Sequence, residues 1–187
     1  MTTAPSPPLT LEEFLALPSL EASPAWEYVH GVAVQKPMPK TRHSLLQKKL
    51  LIALDSATED YTAFPELRCT FGGRSLVPDL VVVSWAKLDL NETGEPQDQF
   101  TQAPDWSIEI LSPDQNANRV IDNLLHCLQN GTQLGWLIDP DDYSVLVLLP
   151  QQPPQLYRGN DPLPMLTAFP DSLTATQLFA WLQVKRK

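Results

Sequence analysis

Two short apolar strands, each carrying a carboxylate, constrain this chain more than anything else in it. The first reads Val77-Pro78-Asp79-Leu80-Val81-Val82-Val83. The second reads Asp105-Trp106-Ser107-Ile108-Glu109-Ile110-Leu111-Ser112-Pro113. β-branched and aromatic runs of this length form strands packed on at least one face. A carboxylate there is costly to bury unless something neutralises it. Two of them meeting at one sheet edge would repel each other unless a cation sat between them.

The two acids differ in how much they say. The chain has 19 prolines, and Pro-Asp recurs at 104, 113, 140 and 170, mostly as turn signals. Pro78-Asp79 stands apart because a β-branched run follows at once, which places Asp79 at a strand entrance. A turn aspartate is the competing reading. Glu109 lies inside its strand. Period-two alternation puts Asp105, Ser107, Glu109 and Leu111 on one face and Ile108 and Ile110 on the other. The competing reading is a solvent-exposed strand face.

The rest of the chain supplies a frame. Leu9–Leu17 reads as a short helix capped by Thr10, with Glu13 at the capping-box position. Glu27–Gln35 reads as a hairpin turning at His30-Gly31. Leu46, Leu50, Ala53, Leu54 and Ala57 recur at helical spacing within Thr41–Ala57. Tyr61–Phe71 and Leu76–Ser84 read as two strands joined around Gly72-Gly73, and Lys87–Ala103 as an acidic loop. Asn116–Gln129 reads as a helix started by Ser112-Pro113-Asp114-Gln115 and stopped by Gly131. Leu134–Ile138 and Tyr143–Leu149 follow as strands, then a Pro-rich loop over 150–164 and a helix over about 174–184. Mixed but not strictly alternating elements predict an α/β fold, a mixed β-sheet flanked by helices. One domain is expected over 1–187, with 1–8 disordered and 150–187 a C-terminal extension.

No apolar run approaches the roughly 18–20 residues that span a bilayer. Nor does Met1–Thr10 show a basic segment followed by an apolar one. Cys69 and Cys127 lack metal-ligand spacing, so a cytoplasmic protein with reduced thiols is expected. The net charge of −9 argues against nucleic acid as a partner. Yet Lys36, Lys40, Arg42, Lys48 and Lys49 fall together with no acid among them. Such a patch can hold a phosphate chain, or can simply be a solvated helix face. His126 and Cys127 are adjacent on a helix and diverge by about 100°, so they do not form a nucleophile pair.

Taken together, Val77–Val83, Ile108–Pro113 and Gly135-Trp136-Leu137-Ile138-Asp139-Pro140 resemble the Uma family of restriction-endonuclease-like proteins, within the PD-(D/E)xK nuclease superfamily. Trp26-Glu27-Tyr28-Val29-His30-Gly31 resembles that family's entrance motif, and His43 its helix histidine. The resemblance runs from about Leu9 to Pro150. It implies a restriction-endonuclease-like core and a DNA endonuclease that hydrolyses phosphodiesters with metal-activated water. Asp79 and Glu109 would hold Mg²⁺ (or Mn²⁺), with the Ile110 carbonyl as a third ligand. Glu27 matches a family acid that could complete the shell, or is a surface glutamate. Lys40, Arg42, His43, Lys48 and Lys49 would contact the DNA backbone. Nucleases that cut both strands are often dimers, so a homodimer is an open expectation.

One departure weighs against catalysis. The superfamily places a lysine two residues after the second acid, where this chain has Leu111. The Uma family usually carries that lysine on the following helix, and here the position falls at Asn123. The nearest cation is Arg119, one helical turn away, either a functional substitute or a surface residue paired with Asp122 or another acid. Arginine can grip a phosphate but does not deprotonate to act as a base. The rival reading is therefore a catalytically degenerate nuclease fold that binds nucleic acid or a protein.

Overall fold

A computed structural model describes residues 9–113, 115–169 and 172–183. The disorder expected for 1–8, Asp114 of the helix start, the end of the last helix and the terminal Lys185–Lys187 lie outside them.

The chain opens with α1 (Leu11–Leu15), where Thr10 and Glu13 form the expected reciprocal cap. A hairpin follows, β1 (Trp26–Val29) and β2 (Val32–Gln35). Its two-residue turn needs positive φ at both positions, and His30 and Gly31 adopt 51° and 78°. Next come α2 (Thr41–Asp55), β3 (Tyr61–Pro65), β4 (Cys69–Phe71), β5 (Arg74–Leu76) and β6 (Leu80–Ser84). A 3-10 turn (Trp85–Lys87) leads through the acidic loop to β7 (Trp106–Ile110). The remainder is α3 (Ala117–Gln129), β8 (Leu134–Asp139), β9 (Ser144–Leu148), β10 (Gln155–Tyr157) and α4 (Ala175–Ala180).

The fold is mixed α/β with two sheets. The smaller runs β2-β1-β5-β4 and the larger β10-β9-β8-β7-β6-β3. Two long strands expected between 61 and 84 are four short ones. Glu66 takes φ 51° after Pro65 and breaks the first run. Pro78, which has no N–H to give a ladder, separates β5 from β6. Each run therefore donates one piece to each sheet. The Gly72-Gly73 turn does join β4 to β5, with Cys69 opposite Leu76. Other differences are local. α3 begins at Ala117 behind an Asn116 cap, and ahead of it the Ser112 N–H donates to Gln115 Oε1. β10 lies within the Pro-rich segment, and α4 is shorter than its apolar pattern.

β7 occupies the middle of the large sheet, antiparallel to β6 and parallel to β8. All five of its residues are buried, as expected for a strand covered on both faces. On one side Trp106, Ile108 and Ile110 pack with Leu46, Leu50 and Leu54 of α2 and with Leu178 and Phe179 of α4. Trp106 meets Trp136 edge-on at 4.6 Å between ring centres. On the other side Val81 and Val83 pack with Phe71, Leu76 and Cys127. Each fully buried aliphatic or aromatic side chain contributes roughly 1.5–3 kcal/mol. The two sheets meet where β5 passes into β6, and the charged residues collect at that corner.

Candidate active site

Asp79 directly precedes Leu80, which pairs with Ile108 in the antiparallel β6–β7 ladder. That register sets Asp79 across from Glu109. Both carboxylates are buried, at 2 and 3 % exposure, so Glu109 does not stand on a solvent-exposed strand face.

A cation does sit between them, and it is Lys36, the first residue beyond β2. Its Nζ donates to Asp79 Oδ1 at 2.8 Å, to Glu109 Oε2 at 3.2 Å and to the Val77 carbonyl at 2.8 Å. Burial by itself would favour a neutral amine. The surrounding Asp79, Glu109 and Glu27 outweigh it and hold Lys36 firmly protonated, well above the usual lysine range.

Asp79 is gripped at every available atom. Its Oδ2 accepts from the Ile110 N–H at 2.7 Å and from His43 Nε2 at 2.9 Å. Its main-chain carbonyl accepts from Gln47 of α2 at 2.9 Å. Burial pushes its pKa up, but Lys36 and His43 prevail and keep it ionised, below the ordinary carboxylate range. Glu109 goes the other way. Burial and the neighbouring Asp79 and Glu27 raise its pKa well above the ordinary value, despite Lys36. Two like charges around one ammonium resolve into one firmly ionised acid and one that holds its proton more readily.

Glu27 of β1 is also in the cluster. It is buried rather than a surface glutamate. Its Oε1 accepts from the Val77 N–H at 2.9 Å and its Oε2 from Asn123 Nδ2 at 3.2 Å. Burial raises its pKa, with Lys36 opposing. Glu27 thus supports the Asp79 turn while Asn123 supports Glu27.

The other sequence candidates separate into groups. His43 faces inward to Asp79, apart from the exposed side of α2 where Lys48 and Lys49 stand. Arg42 is tied to Asp141 at the surface. Lys40 caps the start of α2 and is exposed. Ile110 reaches Asp79 through its N–H. Arg119 is exposed near the start of α3. The suggested partner Asp122 is engaged elsewhere, by Arg74 at 2.8 Å and His30 at 3.1 Å. Sequence reasoning placed Lys36 in the basic patch and did not link it to the acids.

A cavity of about 140 Å³ opens beside this cluster, bordered by Lys36, His43, Asp79, Ser112 and Gln115. It shares Glu66 and Val77 with a larger hollow of about 660 Å³ towards Arg68 and Phe100. On its other side it shares His43 and Ser112 with one of about 240 Å³ flanked by Lys40 and Arg42. Through these shared residues the three hollows adjoin as a groove, lined by Asp79 and Lys36 of the cluster.

Among the described residues, no group of three or more His, Cys, Asp or Glu side chains is arranged to hold a metal ion. The chemistry of the central pair still fits one. Asp79 and Glu109 offer hard oxygen donors on either side of a single bound cation, as Mg²⁺ or Mn²⁺ requires. At present that position holds an ammonium.

Comparison with known proteins gives the chain a family. A family described as Uma2, "Putative restriction endonuclease", matches residues 11–181. The chain belongs to that family. A crystal structure described as a putative nuclease belonging to DUF820, from Anabaena variabilis ATCC 29413, is similar to this chain. It shares 45% identity and a TM-score of 0.90, covering 94% of this chain and 100% of that one. No curated protein matches. Among the described residues of this Uma2 member, no helix is long and apolar enough to cross a membrane.

Proposed function

We propose that this chain is a divalent-metal-dependent DNA endonuclease that hydrolyses phosphodiester bonds at the Asp79–Glu109 pair. The observation that carries the reading is the convergence of two buried carboxylates from adjacent strands on one cation position. A buried acid pair with no catalytic or binding task is a net electrostatic cost. The groove past the pair gives a polynucleotide strand a route to it, and the "Putative restriction endonuclease" description of the family supports DNA as substrate.

Asp79 and Glu109 would hold Mg²⁺ or Mn²⁺, which when bound supplies Lewis-acid stabilisation of the phosphate and a more acidic water. The protein's own part is positioning. His43 and the Ile110 N–H fix the Asp79 carboxylate, as outer hydrogen-bond partners fix metal ligands generally. Gln47 fixes the backbone beneath it. Glu27 and Asn123 hold the Val77 amide, which keeps the Pro78 turn in place. Lys40, Lys48 and Lys49 are the exposed cations suited to backbone phosphates.

The test is cleavage of supercoiled plasmid and of a labelled duplex with Mg²⁺ or Mn²⁺. Activity is expected to require metal and to vanish in D79N and in E109Q. Retained cleavage in D79N refutes the assignment. One observation favours a second reading: Leu111 and Asn123 stand where catalytic lysines are expected, and Asn123 is committed to Glu27. A degenerate nuclease fold that binds DNA or protein would show no cleavage with any divalent metal.

A further inference from the structure

We propose that Lys36 is a displaceable internal cation: a divalent metal enters the acid pair by exchanging with its ammonium, which then serves the scissile phosphate. The inference rests on the nuclease reading above and goes beyond it to how the site is filled and by which residue of this chain.

Three observations carry it. The ammonium already occupies the cation position, within 3.2 Å of an oxygen from each acid. A metal bound by both carboxylates takes that place, so Lys36 and the metal are mutually exclusive there. The side chain also has somewhere to go. Its stem forms part of the wall of the 140 Å³ cavity, and its backbone is anchored by the Lys36 N–H to Ala25 carbonyl bond at 2.9 Å. A flexible four-carbon chain can withdraw its head from the acids while staying beside them. Lastly, this chain lacks a lysine at either expected place. Leu111 is apolar, and Asn123 is bonded to Glu27. Arg119 is solvent-exposed, whereas Asp79, Glu109 and Glu27 are buried. Lys36 is the cation in direct contact with both acids, and once displaced it sits where a phosphate entering the groove would arrive.

Competition has a numerical consequence. If the ammonium is bound to the acids nine-tenths of the time or more, metal affinity is reduced by about tenfold relative to a site without it. Calorimetric titration with Mn²⁺ on the wild-type chain, K36M and D79N/E109Q tests this, with circular dichroism to verify folding. K36M is expected to bind Mn²⁺ about tenfold more tightly than wild type, to melt at a lower temperature without metal, and to gain a larger Mn²⁺-induced rise in Tm. D79N/E109Q should bind none. At saturating Mn²⁺, cleavage by K36M should fall at least about 100-fold, the scale of a lost charge at a developing phosphate anion. If K36M is poorly folded, K36Q replaces it, with the same expectations.

Equal or weaker Mn²⁺ binding in K36M overturns the exchange while leaving the nuclease reading intact. Tighter binding with unchanged cleavage overturns the role at the phosphate. Absence of Mn²⁺ binding in both folded wild type and K36M overturns the metal-dependent reading and this inference with it.

Discussion

Replacing Asp79 by Asn tests the electrostatics of the site without changing its shape. Asp79 accepts three side-chain bonds, from Lys36 at 2.8 Å, His43 at 2.9 Å and the Ile110 N–H at 2.7 Å. An asparagine offers one acceptor oxygen to these three donors. Turned towards His43 and Ile110, that oxygen keeps two bonds and sets the new NH₂ group against the Lys36 ammonium; turned towards Lys36, it keeps one and sets the NH₂ group against two donors. His43 could turn its ring proton arrangement round, but its Nδ1 is buried without a partner among the described residues. Each charge-assisted bond contributes roughly 1.5–3 kcal/mol. Glu109 stays behind as partner for Lys36 and recovers part of the loss. The expected cost of D79N is about 3 kcal/mol at pH 7 in chelator, within a typical total stability of about 5–15 kcal/mol. E109Q should cost about 1 kcal/mol or less, because burial already inclines Glu109 to keep its proton.

The assay is urea unfolding followed by tryptophan fluorescence, to which the fully buried Trp106 and Trp136 contribute. A pH arm uses the E109Q background, where Asp79 is the acid left on Lys36. Its folded pKa lies below the ordinary range of about 3.9, with burial opposing and Lys36 prevailing. A depressed carboxylate stabilises fully above its unfolded pKa and loses that contribution as pH falls through the folded value. The gap between E109Q and D79N/E109Q should therefore be complete at pH 7 and about 1 kcal/mol smaller by pH 3. A gap that is constant or widens on acidification, or an E109Q cost exceeding that of D79N, refutes this account.

Three further outcomes follow from the geometry. G72A should lower stability more than G73A in thermal melts: both glycines have positive φ, but a Cβ at Gly72 would lie 2.5 Å from the Asn130 side chain, whereas one at Gly73 meets nothing within 4 Å. L50A should cost about 2–5 kcal/mol in urea unfolding, because Leu50 is fully buried between α2 and the large sheet. K48A/K49A should weaken DNA binding alike for all sequences and flatten the log–log salt dependence by about 2, each lysine answering for roughly one phosphate; unchanged binding by fluorescence anisotropy would place the DNA elsewhere.

What could be read from the sequence was local. The α1 cap needs only Thr10 and Glu13, and the His30-Gly31 and Gly72-Gly73 turns need only residues that tolerate positive φ. α2 and α3 announce themselves by apolar spacing. The breaks at Glu66 and Pro78 were hidden, because a residue such as Glu66 takes φ 51° only when tertiary packing imposes it. The acids were legible for a similar reason to the helices: a charge inside a β-branched run contradicts its surroundings. Their pairing depends on the β6–β7 register, which no local pattern specifies. Lys36 was the hardest to find. The demand for a cation between the acids is a sequence-level inference, but choosing among 13 basic residues requires knowing that the end of β2 abuts the β5–β6 turn.

The unequal tethering of the two acids bears on how the site could work. The segment Val77–Asp79 is held by Glu27 at its first amide, by Lys36 at its first carbonyl, and by Gln47 at its last carbonyl. Pro78 fixes φ at the middle of the segment. His43 and Ile110 then lock the carboxylate itself. Among the described residues Glu109 accepts a single hydrogen bond, the 3.2 Å contact from Lys36. Asp79 is therefore the rigid half of the cation position and Glu109 the adjustable half. Exchange of an ammonium for a smaller divalent ion demands shorter contacts on both sides. This arrangement confines the adjustment to one side chain at the end of β7 and to the lysine that leaves, while the reference point built from β1, α2 and α3 stays fixed.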